Sequence, residues 1–147
     1  SQVPGITLAG CGNIARNNEI YDTPHFAIKM KFANDCIKAI CERIGIMIPK
    51  KEKWIFNYNG NNSSYDFTLN NKIIEFNGDY WHMNPKQYKP NDYNKSIRMT
   101  ATEKWESDNS KYKLATKNGY DILVIWESDY NEGREAVIQR CLNFLNE

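Results

Sequence analysis

The stretch YDFTLNNKIIEFNGDYWH, Tyr65 to His82, constrains the fold more tightly than any other part of the chain. Two apolar runs flank Asn70 and Asn71, and asparagine tolerates the positive φ that a two-residue type I′ turn demands. With these two as the loop, Leu69 pairs with Lys72, Phe67 with Ile74 and Asp66 with Glu75. Strand side chains alternate with period two. Tyr65, Phe67 and Leu69 are therefore expected on one face with Ile74 and Phe76, and Asp66, Glu75 and Asn77 on the other. A slip of one residue would turn Phe67 and Ile74 outward, so the hydrophobic pattern holds this register.

Two carboxylates opposed on one sheet face have Cβ atoms only about 5 Å apart, and like charges so placed are destabilising. Such a pair calls for a bound cation, or for one shared proton and a raised pKa. Mg²⁺ is satisfied by one or two carboxylates with water completing its shell, and Mn²⁺ is its expected substitute. Asp66 and Glu75 are accordingly expected to bind metal in an active site that the rest of the chain holds or uses.

At 147 residues the chain is expected to form one domain with a full core. No apolar run reaches the roughly 18 residues of a membrane span. No signal-peptide pattern opens it, and its start at Ser1 rather than Met reads as an excised domain or a processed chain. Cys11, Cys36, Cys41 and Cys141 form no CxxC pair, and three of them fall on helical apolar faces, as in a reduced, cytoplasmic protein. A net charge of +1 means that any nucleic-acid contact must come from a local basic cluster.

Residues 1–22 are rich in Gly and Asn and read as an extension, a linker or a short strand, ahead of a domain over 23–147. Thr23 and Pro24 start a helix whose apolar face runs from Phe26 to Ile44, closed by Gly45. Ile46 to Pro49 and Trp54 to Tyr58 are candidate short strands. From His82 to Thr100 there is no periodicity, and Lys86, Lys89, Lys95 and Arg98 are interleaved with Tyr88 and Tyr93. Long loops of this kind are usually functional, and this mixture suits phosphate contact and base stacking. Thr100 and Glu103 form a capping box for a helix running to about Asn118, with Trp105, Asp108, Tyr112 and Ala115 on one face. YDILVIW, 120–126, reads as a strand buried on both faces, and the intervening helix makes it a parallel neighbour of the Glu75 strand. Val137, Ile138, Cys141, Leu142 and Leu145 mark a last helix. The expected class is α/β, a mixed sheet flanked by helices.

The hairpin followed by G-D-Y-W-H, then K-W-x-x-D on a helix and G-Y-x-I-L-V-I-W-E on a strand, resembles the very-short-patch repair endonucleases. The likeness covers Asp66 to Glu127 and is nearest to the phage-borne homing endonuclease branch with its dispersed E-D-x-H-D signature. It implies the restriction-endonuclease-like PD-(D/E)XK fold. By the same resemblance Asp66 ligates metal, His82 is the catalytic histidine, Asp108 is the second-site aspartate, and Glu75 and Asn77 stand at the E-x-K positions. Asp35 is the nearest match to the first-helix glutamate, with Glu19 and Glu42 as alternatives. Asn77 in place of lysine departs from the pattern, so His82 or another basic residue must take that role.

The expected function is a Mg²⁺-dependent endonuclease acting on double-stranded DNA, as a homing endonuclease or its catalytic domain from a phage or mobile element. A homodimer or a separate DNA-binding domain would complete it. The alternatives are a mismatch-directed nickase and a catalytically degenerate nuclease fold that only binds nucleic acid.

Overall fold

A tight hairpin and a helical crossover build the sheet. The computed structural model describes residues 24–50, 53–55 and 63–147. Strand β3 (Phe67–Leu69) pairs antiparallel with β4 (Lys72–Asn77), with Phe67 opposite Ile74 and Leu69 opposite Lys72, the register the apolar pattern requires. The turn differs from expectation. Asn70 has φ 55° and is the only left-handed residue of the pair, whereas a type I′ turn needs both.

Two further strands precede the hairpin: β1 (Lys53–Ile55) pairs antiparallel with β2 (Ser63–Tyr65). After β4 come the short helix α2 (Asp79–His82), the two-residue strands β5 (Tyr93–Asn94) and β6 (Met99–Thr100), and helix α3 (Ala101–Lys117). Strand β7 (Asp121–Trp126) then lies parallel to β4, with Glu75 beside Val124 and Asn77 beside Trp126. The sheet order is β3-β4-β7, so β4 is central and the sheet is mixed. Helices α4 (Glu127–Glu132) and α5 (Arg134–Leu145) close the chain.

The alternation along β4 divides the core in two. Ile74 and Phe76 pack with Phe67, Ile125, the 32–44 part of helix α1 (Pro24–Ile44), and Val137, Ile138 and Cys141 of α5. Ile73 packs on the opposite face with Ile55, Tyr65 and Ala115 of α3. Tyr65 therefore does not share the face of Phe67. The bend at Asp66 interrupts the strand and resets its alternation. The result is an α/β arrangement with helices on both faces of a small mixed sheet.

Local signals explain the helix ends. The Thr100 hydroxyl accepts from the Glu103 N–H at 3.2 Å and the Glu103 carboxylate accepts from the Thr100 N–H at 2.9 Å, a full capping box. Gly45 and Gly119 follow α1 and α3 with φ of 76° and 88°, left-handed values that glycine adopts without strain. Cys36, Cys41 and Cys141 are buried free thiols on the helical apolar faces.

Several expectations give way. Residues 46–49 form no strand, and Met47 is 83% exposed. The Trp54 to Tyr58 strand survives only as β1, with 56–58 outside the described residues. Strand β7 packs on both faces, with Leu123 and Ile125 in one core and Ile122 in the other, but its burial is partial and only Ile125 in it is fully covered. The 82–100 loop is not structureless. Asn94 is buried, donates to the Tyr80 carbonyl at 2.9 Å and accepts from the Ser96 N–H at 2.8 Å, which folds the segment back on itself. The chain divides into the units Ser1–Lys31 and Phe32–Glu147, and every site residue discussed below except Glu19 belongs to the second. The expected 1–22 extension lies outside the described residues.

Candidate active site

Three hydrogen-bonded groups line the face of β4 that meets α3. Period two in the strand and the 3.6-residue turn of the helix bring them together. Glu75 and Asn77 alternate onto that face, and Lys104, Asp108, Lys111 and Tyr112 recur three or four residues apart on α3.

The first group contains the opposed carboxylates. The Asp66 N–H donates to Glu75 Oε2 at 2.7 Å, and the Phe76 N–H donates to Asp66 Oδ2 at 2.8 Å. Lys111 Nζ donates to Glu75 Oε1 at 2.5 Å and lies 5.0 Å from the centre of the Tyr65 ring. The Tyr65 hydroxyl in turn donates to the Lys111 carbonyl at 2.7 Å. Glu75 is only 3% exposed. Burial first and the Asp66 charge second push its carboxyl up to about 7, against the pull of Lys111. The like charges are thus offset by the Lys111 ammonium and by the raised pKa of Glu75, which favours its protonated form.

The second group is Asn77, whose amide nitrogen donates to the Tyr112 hydroxyl at 2.8 Å. Burial, followed by the Asp108 charge, raises the Tyr112 hydroxyl further above its ordinary value, so it stays protonated.

The third group is a histidine–aspartate dyad. His82 Nδ1 lies 2.8 Å from Asp108 Oδ2, and Lys104 Nζ lies 2.8 Å from Asp108 Oδ1. Burial alone would raise the Asp108 carboxyl, but His82 and Lys104 outweigh it and hold the group well below the usual carboxylate range. An aspartate kept ionised beside Nδ1 fixes the imidazole orientation and directs proton exchange to Nε2. His82 is held from below as well. The Asp79 N–H donates to Glu127 Oε1 at 3.2 Å, and Asn84 and Ser128 both donate to Asp79 Oδ1, at 2.8 and 3.2 Å. Asp79 and Glu127 thus brace helix α2, whose last residue is His82.

Of the residues expected from sequence, the structure gathers Asp66, Glu75, Asn77, His82 and Asp108 around one face of β4 and α3. Asp35 is carried by α1, whose 32–44 part packs on the other face of the sheet. Glu42 is exposed on the same helix, and Glu19 lies outside the described residues. The set of basic and tyrosine side chains is at the surface: Lys86, Lys89, Tyr93, Lys95 and Arg98 are exposed and Tyr88 is half-buried. Lys86 also pairs with Asp129 at 3.3 Å. Sequence reasoning missed Lys111 and Lys104. Their spacing from Asp108, three residues on and four back along a helix, was the signal.

The Asp66 and Glu75 oxygens suit Mg²⁺ by hardness. Asp66 is half-buried and its Oδ1 accepts no hydrogen bond among the described residues. Among those residues no group of three or more His, Cys, Asp or Glu side chains forms an all-protein cage. A two-carboxylate ion that keeps its waters is the kind this donor set fits.

Beside the dyad opens a cleft of about 430 Å³ lined by Asn77, Trp105, Asp108, Tyr112 and Trp126, with Glu106 and Asn109 also on its wall. Trp105 is anchored by its indole N–H, which donates to the Met83 carbonyl at 2.7 Å. Comparison with protein-family models, curated proteins and solved structures produced no match to this chain.

Proposed function

We propose that this chain is a Mg²⁺-dependent DNA endonuclease that hydrolyses a phosphodiester with water as nucleophile. The observation that carries the reading is that α3 carries both Lys111, paired with Glu75 beside Asp66, and, three residues earlier, Asp108, paired with His82. An acidic pair, a lysine and an oriented histidine are the groups phosphoryl hydrolysis uses. The strand-hairpin, crossover helix and parallel strand are compatible with a restriction-endonuclease-like domain, and the proposed setting is a homing endonuclease or its nuclease domain.

In this mechanism Asp66 and Glu75 would hold the ion, which when bound would polarise the phosphate and acidify water. Lys111 stabilises negative charge that develops on the phosphoryl oxygens, the role left vacant by asparagine at position 77. Asp108 keeps the His82 ring fixed, and Nε2 exchanges the proton. It takes one from the attacking water or hands one to the sugar oxygen as the P–O bond breaks.

One observation favours a second reading. Glu75 already accepts from the Asp66 N–H and from Lys111, which is also how a purely structural buried pair is satisfied. On that reading the domain only binds nucleic acid. Supercoiled plasmid incubated with Mg²⁺, with and without EDTA, separates the two. The nuclease reading expects EDTA-sensitive nicking or linearisation that is lost in Asp66→Ala and His82→Ala. Intact plasmid across a panel of DNAs sinks it, and cleavage retained in Asp66→Ala shows the site is misassigned.

A further inference from the structure

We propose that the cleft beside the dyad receives a single nucleobase unstacked from a polynucleotide. The proposal takes its substrate class from the nuclease reading and adds which part of that substrate enters the protein.

Shape and chemistry of the lining select the occupant. Trp105 and Trp126 supply broad aromatic surface on the cleft wall, and ring faces of this kind stack on any base. Trp126 reaches the wall because β7 is in parallel register with β4, which sets it beside Asn77. The volume of about 430 Å³ falls in the range of small-ligand pockets, roughly 300–1,000 Å³, and excludes a double helix. His82 and Asp108 side chains are only 12% and 11% exposed, so most of the dyad lies below the surface.

Charge decides which end of a nucleotide goes in. The lining residues include the carboxylates of Glu106 and Asp108 and no lysine or arginine, which disfavours a phosphate inside. Asn77 is 2% exposed, lines the cleft and spends its amide N–H on Tyr112. Its carbonyl oxygen has no hydrogen-bond partner among the described residues. An acceptor at Asn77 next to the protonated Tyr112 hydroxyl makes an adjacent acceptor and donor, the pairing a base edge presents in complement. That oxygen keeps solvent access through the cleft, so the edge of a base can reach it. The base therefore enters, and its phosphate stays outside near His82 and Lys111. Turning a base out of the stack requires unpairing it, which is easiest where it is bulged or mispaired.

The test is equilibrium binding in EDTA, so that cleavage plays no part, with a paired duplex and the same duplex carrying a one-nucleotide bulge. Deoxynucleoside monophosphates and deoxyribose 5-phosphate serve as small probes. The expected result is about tenfold or more tighter binding of the bulged duplex, in keeping with the contribution of one stacked base. Mononucleotides should also compete and deoxyribose 5-phosphate should not. Trp105→Ala removes one wall, and because Trp105 also anchors Met83, Asn109→Trp is the control that fills the cleft from the exposed helix surface. Both variants should erase the preference for the bulge. Equal affinity for bulged and paired duplexes overturns the proposal, as does an undiminished preference in folded Asn109→Trp, and so does binding of mononucleotides without discrimination between the duplexes. A protein without nuclease activity can still pass this test, and an active nuclease can fail it.

Discussion

Lys111 Nζ sits 2.5 Å from Glu75 Oε1, joining the middle of α3 to the central strand of the sheet. Through this contact a lysine eight residues before the crossover helix gives way to Gly119 answers the charge of a buried glutamate that would otherwise face only Asp66. Removing it by Lys111→Met leaves Glu75 buried without its cation. Breaking such a pair costs about 3 kcal/mol at pH 8. The loss should be smaller at pH 5, where Glu75 takes up a proton. Urea unfolding at the two pH values checks the difference, and an equal loss at both shows that Glu75 is not the responding group. The same variant should cut plasmid cleavage about 10²-fold or more, the range for removing one charge-stabilising group.

Glu75 itself gives a pH signature with a definite sign. Its folded pKa, pushed up to about 7, lies above the ordinary value of 4.5. Between those limits the folded protein holds a proton that the unfolded chain has released, so stability falls as pH rises through the window. Glu75→Gln cannot titrate, so its melting temperature should decline less than that of the wild type between pH 5 and pH 7. Parallel declines would place the titration elsewhere. Because metal binding needs the carboxylate, Mn²⁺ affinity of the wild type should climb over the same window, with proton release measurable by calorimetry in buffers of different ionisation enthalpy.

Asp108 runs the other way. Its folded pKa is depressed below 3.8, so it contributes stability at higher pH that is lost as pH falls through the carboxylate range. Asp108→Asn keeps the shape but removes the anion from His82 and Lys104. The expected cost is about 2 kcal/mol near neutrality, as for hydrogen bonds to a charged group. Catalysis should drop about 10²- to 10⁴-fold, the usual share of an oriented proton-transfer group. Wild-type cleavage rates in Asp108→Asn would remove the dyad from the mechanism while leaving its structural role intact.

The parts of this site that could be read from sequence are those governed by short-range periodicity. The pairing of Phe67 with Ile74 follows from alternation, and with it the proximity of Asp66 and Glu75. The parallel placement of β7 follows from a crossover of helical length, and the capping box marks the start of α3 to the residue. Lys111 was hidden because a lysine on a helix is ordinarily solvated, and only the tertiary approach of α3 to β4 gives it a carboxylate. Tyr65 changed faces for a related reason. Its alternation is broken by Asp66, whose N–H and carboxylate both bond to the neighbouring strand, at Glu75 and Phe76, in place of regular pairing. The 82–100 segment was opaque because its order comes from buried asparagines, Asn84 and Asn94, which bond to the backbone and leave no periodic pattern.

That same segment supports a prediction about affinity rather than catalysis. Lys86, Lys89 and Lys95 are exposed, while the buried Asn84 and Asn94 hold the backbone beside Lys86 and Lys95 in fixed turns. The Lys86–Asp129 pair is no obstacle, since the lysine side chain is 72% exposed and such pairs are weak and screened. Each phosphate neutralised contributes about −0.9 to the slope of log K against log salt, so the triple alanine variant should lose up to about 2.7 from that slope. The loss should be the same for paired and bulged duplexes, because in the proposed complex these lysines would touch backbone and the cleft the base. A gel-shift salt titration measures both quantities together. An unchanged slope would move the phosphate contacts off this loop, whereas a changed slope with lost bulge preference would mean that loop and cleft do not act as separate sites.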